Sequence, residues 1–163
     1  MSLLRFASLL ALTLWTGGLA VLGGVGAPAI FAVLEDIDPA HGRTAAGRVF
    51  GAVFERFQHL AWILGGLLVL IFIARAALGP RPRRFGLRLG TIGLMLALSV
   101  ASTLWIAPRI DHLRDTTPGQ MADRPADDPI RREFGRLHGL SNGFALLTLF
   151  GGVWLIWIEA REE

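Results

Sequence analysis

A chain of 163 residues with 53% hydrophobic and 18% charged residues is one domain's worth of protein, too apolar for an ordinary soluble fold. All 16 cationic residues are arginine and the net charge is only +3, so the pI of 11.2 reflects the guanidinium pKa, and no nucleic acid partner is expected. The absence of cysteine excludes a disulfide framework, a cysteine–zinc site, an iron–sulfur cluster and a cysteine nucleophile.

Gaps in the charge pattern locate the predicted elements. No charged residue lies between Arg5 and Glu35, a run of 29; between Arg56 and Arg75 the run is 18, between Arg88 and Arg109 it is 20, and between Arg136 and Glu159 it is 22. Roughly 20 residues at 1.5 Å each cross the ~30 Å hydrocarbon core, and only helices satisfy their own backbone there. Residues 1–163 therefore read as one integral membrane domain, all-α, a polytopic four-helix bundle with helices roughly at 4–34, 43–75, 86–108 and 130–160.

The first run has Arg5 before it and Ala27-Pro28-Ala29 behind it, the outline of a signal peptide. It is about twice as long as a signal h-region and is read as a helix bent near Pro28. The second run has an amphipathic lead: Arg48, Ala52, Glu55, Arg56 and His59 share one face, and Val49, Phe50, Val53, Phe54, Phe57 and Leu60 mark the other. The connection to the third run carries Arg75, Arg81, Arg83, Arg84 and Arg88 without an acid. The positive-inside rule places it in the cytoplasm, with both termini, in a multi-pass protein of the cell membrane. Reporter fusions within 78–86 and after residue 163 should both report cytoplasm, and a periplasmic signal from the first would reverse the orientation. Before the fourth run, the Pro- and Asp-rich stretch from Pro118 to Pro129 reads as a polar linker, with Asp128 as N-cap and Pro129 as the first helical residue.

The two halves match at an offset of 80. Ala27-Pro28-x-Ile30 pairs with Ala107-Pro108-x-Ile110, and Phe54-x-Arg56 with Phe134-x-Arg136. A duplicated helical hairpin, its copies related by an axis along the membrane normal, gives an up-down-up-down bundle. Small residues along the first helix (Gly17, Gly18, Gly23, Gly24 and Ala27, ahead of Pro28) are read as a helix-packing surface.

Candidate functional residues gather near the outer ends. His59 and His138 sit just inside helix ends; His138, Ser141, Asn142 and Ala145 share a face, with Thr148 at its edge; the third helix adds Ser99, Ser102 and Thr103. Arg56 and Arg136 are the matched cations of the repeat, and Glu55 is placed to neutralise an arginine or to pair with His59. The expected cleft therefore comprises Arg56, His59, His138, Asn142, Ser141, Arg136 and Glu55. It would take an anion or anionic head group through the arginines or a metal through the histidines, or its polar groups could simply bond helices together. Arg56 and His59 rank first, being only about 60° apart on a helical wheel, and Arg136 last, about 200° from His138. No metal motif is present and no cofactor is identified.

Leu4-Arg5-Phe6, Trp15-Thr16-Gly17-Gly18, Gly26-Ala27-Pro28-Ala29-Ile30-Phe31 and Gly47-Arg48-Val49 before Phe54 resemble bacterial relatives of the transmembrane protein 205 family. That resemblance implies a small four-helix membrane protein of unassigned activity and carries over no catalytic residue. No nucleophile–base pair is visible, so an enzyme is not expected. The reading is a membrane protein that binds or passes a small solute, lipid or metal at an outward-facing polar cleft. The alternative is a structural or accessory subunit of a larger membrane complex. Its expected partner is the lipid bilayer, with a homo-oligomer or another membrane protein also open.

Overall fold

The computed structural model describes residues 3–79, 83–117 and 121–161; Arg81 and Pro118, named above, lie outside the described residues. Four helices, α1 (Leu3–Ile37), α2 (Gly42–Leu78), α3 (Phe85–Thr116) and α4 (Pro129–Ala160), are each long and apolar enough to cross a membrane. Each packs on its neighbours in the order α1, α2, α3, α4 and back to α1, a ring of antiparallel helices. Among the described residues there is no strand. The α2–α3 connection lies at the termini end, and the other two connections lie at the opposite, distal end.

Both α1 and α3 are interrupted by a π-helical turn, Leu22–Gly26 in one and Ser102–Ile106 in the other. The offset is again 80. In each, the last α-helical bond before a proline is replaced by a wider one: Ala27 N–H donates to the Leu22 carbonyl and Ala107 N–H to that of Ser102. The proline that follows, Pro28 or Pro108, has no N–H and its ring would clash with a carbonyl four residues back in a regular helix; the π turn relieves that clash. Buried positions repeat as well. Ser8, Leu12, Trp15 and Leu19 in α1 correspond to the buried Arg88, Ile92, Met95 and Ser99 in α3, and Leu68 and Phe72 in α2 to Thr148 and Gly152 in α4. The second half thus repeats the first element for element.

The main core lies nearer the termini end, built from Leu12, Trp15, Leu68, Phe72, Ile92, Met95 and Leu155. A smaller distal core joins Ile106, Ile110 and Leu137. Helices of 32 to 37 residues run to about 50 Å at ~1.5 Å per residue, well beyond the ~30 Å hydrocarbon layer, so their distal ends form a crown outside it. Exposed ion pairs tie the crown, Arg43 with Glu35 at 3.4 Å and Arg48 with Asp115 at 2.8 Å. Arg114 lies across Gly47, its Nη1 3.3 Å from the Gly47 carbonyl, and a Cβ at position 47 would stand 2.9 Å from the guanidinium. The α1–α2 turn is held by Asp38, whose carboxylate accepts from the N–H groups of His41 and Ala40, both at 3.0 Å. The His41 N–H, more than any other group, holds the Asp38 carboxyl below its ordinary pKa. The Asp128 side chain caps α4, accepting from Ile130 N–H at 2.7 Å and Arg131 N–H at 3.3 Å, with Pro129 opening the helix as its sequence position implies.

The packing surface expected along α1 needs correction. Gly23 and Gly24 are exposed, and a Cβ built on either, or on Gly17, meets nothing within 4 Å. Pro28 is exposed too, and Ala27 is half-buried. Only Gly18 of that set faces a neighbouring side chain, the Phe57 ring of α2. The π turn explains the shift: it rotates the helix beyond Val21, so small-residue spacing counted at 3.6 residues per turn no longer stays on one face. The close approach of α1 to α4 falls instead at Gly152, where a Cβ would collide with the Thr16 side chain.

Candidate functional site

The buried stripe of α2 runs through Gln58, Ala61, Leu64, Gly65, Leu68, Ile71 and Phe72, the three- and four-residue spacing of one helical face. Gln58, the first of these, places an amide inside the bundle near its distal side. There it lines a small cleft, about 10 Å³ in volume, together with Ser99, Ser102 and Thr148, between Leu19, Phe54 and Phe144. Gln58 is 5% exposed, Ser99 3%, Ser102 4% and Thr148 5%. The walls are partly fixed by hydrogen bonds. Trp62 Nε1 donates to Ser99 Oγ at 2.8 Å, and Ser102 Oγ lies 3.0 Å from Ser141 Oγ. The Gln58 amide can donate two bonds and accept two. The lining is uncharged and mostly apolar, with these four polar side chains set into it.

Of the residues expected in the cleft, Ser141 comes nearest, behind the lining residue Ser102 to which its hydroxyl is bonded. Arg56, His59, His138, Asn142, Arg136 and Glu55 are exposed, and none of them lines the cleft. On α2, His59 is ~100° and Arg56 ~200° around the helix from Gln58, which carries both off the buried stripe. His59 instead sets its ring edge against Trp62, centroids 5.0 Å apart, and the His138 ring lies parallel to Phe134 at 6.1 Å. The Arg114 guanidinium covers the same Phe134 ring at 5.4 Å. Among the described residues no group of three His, Asp or Glu could hold a metal ion. The polar patch of Ser99, Ser102, Ser141 and Thr148 was legible from helical spacing. Gln58 was visible only as the repeat partner of His138, and the pairing misleads, because position 138 is exposed while its neighbour Leu137 is buried.

A second polar centre sits at the termini end. Glu159 of α4 is 1% exposed, and its carboxylate is ion-paired with both Arg75 of α2 and Arg88 of α3. Ser8 of α1 lies with its Oγ 2.9 Å from Glu159 Oε1. Arg5 donates through Nε and Nη2 to the Glu159 carbonyl at 3.2 and 2.9 Å, and through Nη2 to that of Ala160 at 3.1 Å. It thereby covers the last carbonyls of α4, where the helix dipole favours a cation. The Phe72 ring lies under the cations, its centroid 5.3 Å from Arg75 Cζ and 5.8 Å from Arg88 Cζ. All four helices contribute to this one cluster. It escapes sequence reading because Arg5, Arg75, Arg88 and Glu159 serve there as the boundaries of apolar runs; the available signal was that all four apolar runs have a charged residue bounding them on this same side.

No curated protein and no solved structure matches the chain. A family described as Domain of unknown function (DUF4149) matches residues 10–118, well over half of it. The chain belongs to the DUF4149 family. The DUF4149 match takes in α2 and α3 whole, so Gln58, Ser99, Ser102, Arg75 and Arg88 lie inside it. Ser8, Ser141, Thr148 and Glu159 lie outside, and the description attaches no activity to the family. Nothing in the match ties the chain to relatives of transmembrane protein 205 in particular. The DUF4149 chain is thus an integral membrane protein of unassigned activity with a bilayer as its environment.

Proposed function

We propose that this protein is not an enzyme but a binding protein of the membrane, taking a small, uncharged, hydrogen-bonding solute into the distal cleft. The observation that carries the reading is the set of Gln58, Ser99, Ser102 and Thr148, each at most 5% exposed, lining one cleft. A hydroxyl or amide group bound there would add hydrogen bonds to the Gln58 amide, each contributing about 0.5–1.5 kcal/mol. The neutral lining of Gln58, Ser99, Ser102 and Thr148 favours an uncharged ligand over the anion or metal that arginines and histidines would suggest. The cavity has a volume of about 10 Å³, room for a single water-sized group, so the cleft takes one hydroxyl or amide group of a ligand and not a drug-sized molecule. By the positive-inside rule the cleft faces outward.

The test is mass spectrometry of small molecules co-purifying with the detergent-solubilised chain. A neutral polar compound should be retained by wild type and fall by about tenfold in Gln58→Leu, the loss of roughly 1.4 kcal/mol of hydrogen bonding. An identical small-molecule profile for wild type, Gln58→Leu and Thr148→Val would sink the proposal.

A further inference from the structure

The two copies of the repeat differ most above the membrane. Ala27 stands 22 residues, about 33 Å, above Arg5, so the last stretch of α1, Ala27–Ile37, belongs to the crown rather than to the hydrocarbon layer. Its first eight residues are uncharged, and none of its eleven is buried. At the matched depth of α3, Ala107–Thr116 buries Ile110 and exposes Arg109 and His112 where α1 exposes Ala29 and Ala32. Ala29, Ala32, Val33, Asp36 and Ile37 have the spacing of one helical face and are all exposed, Val33 by 57% and Ile37 by 72%. An apolar face that rises above the lipid marks a surface for another protein.

The chain itself carries the complement. On α4, Arg132, Gly135, Arg136 and Gly139 also share one helical face and are all exposed, and a Cβ built on either glycine meets nothing within 4 Å. The contact of Thr16 with Gly152 sets the relative heights of α1 and α4. Twenty residues above it α1 reaches Asp36 and α4 reaches Arg132; the same count puts Val33 level with Gly135, Ala32 with Arg136 and Ala29 with Gly139. Twenty residues also turn a helix by ~200°, so Arg132 faces away from the α1 of its own chain. Asp36, Arg132 and Arg136 make no ion pair among the described residues. Copies inserted alike in one bilayer keep these heights under an axis along the membrane normal. We infer that the crown is the contact surface for a second copy of this chain. The 29–37 face of α1 lies against the 132–139 face of α4 in the neighbouring copy, with Val33 seated over Gly135 and Asp36 beside Arg132 and Arg136. The acid and the cations complement one another, and the two glycines let the helices approach closely. The contact closes as a two-fold dimer in which it is made twice.

The natural chain has no cysteine, so introduced thiols report alone. Full-length Val33→Cys and Gly135→Cys variants with different tags would be reconstituted together in lipid vesicles and oxidised, and the mixed disulfide measured on a denaturing gel. Both positions face open space, so neither substitution disturbs the fold of one chain. The control pairs Gly135→Cys with His112→Cys, exposed at the same height on α3. Val33→Cys with Gly135→Cys should cross-link severalfold more than the control pair. On that background Asp36→Arg or Arg132→Asp alone should lower the yield about fivefold, and the two together should restore it, which a general loss of structure would not do. No mixed disulfide, or equal yields from Val33→Cys and His112→Cys, would overturn the contact. So would a preference of Val33→Cys for its own copy over Gly135→Cys, which would set α1 against α1. The cysteine pairs decide the contact even if a charge-reversed chain fails to fold. A folded double reversal no better than the single ones would overturn the pairing of Asp36 with Arg132.

Discussion

Replacing Glu159 by leucine should destabilise the protein by about 3–5 kcal/mol, the cost of removing one partner from a buried ion pair. The magnitude follows from what is left behind. Arg88 is 1% exposed and Arg75 is largely buried, so neither guanidinium can recover full hydration when the carboxylate goes. Ser8 keeps only the Arg5 carbonyl as its acceptor. Deleting a cation should cost less than deleting the carboxylate, because Arg75→Met leaves Glu159 paired with Arg88. Thermal unfolding in detergent, followed by circular dichroism, is the measurement. A Glu159→Leu chain melting with wild type, or above it, would mean that the cluster is no more stabilising than apolar packing, and Arg75→Met falling further than Glu159→Leu would mean that the carboxylate is not its centre.

The architecture was legible because a membrane helix writes itself in plain terms: about 20 apolar residues between charges. The repeat was legible because Ala-Pro and Phe-x-Arg recur in register. Both signals survive projection onto a line. What did not survive was rotation about each helix axis. His59 and Gln58 are neighbours in sequence, yet one is exposed and the other faces the cleft. A polar residue at a helix end looks the same in sequence whether it faces lipid head groups or the bundle interior. The π turns compound this, since each adds a residue to a turn and re-aims everything after it; Gly23 and Gly24 sit within one of them. The Glu159 cluster was hidden for a different reason. Its members come from four helix ends as far apart in sequence as Arg5 and Ala160, and only the closed ring of helices brings them together.

The same rotation separates two glycines that sequence spacing treats alike. Gly152→Leu should lower stability by about 1–3 kcal/mol, the usual cost of overpacking a tight interface, while Gly24→Leu should leave it unchanged. At position 152 even a Cβ would collide with Thr16 Oγ1, and it would stand 3.2 Å from Thr16 Cβ and Cγ2. Thr16 cannot swing clear, because Cβ is fixed to the α1 backbone, so α1 and α4 must move apart. That movement would open the main core beside Trp15 and Leu155, both at most 2% exposed. At position 24 a side chain has open space on the outside of the bundle and adds only apolar surface toward lipid. A shift of ~2–4 °C per kcal/mol puts the Gly152→Leu melting point about 2–12 °C below wild type. Gly152→Ala separates the causes: a Cβ alone already meets Thr16, so most of the loss should appear with alanine, whereas a loss confined to leucine would place the tight contact farther out than the α1–α4 approach.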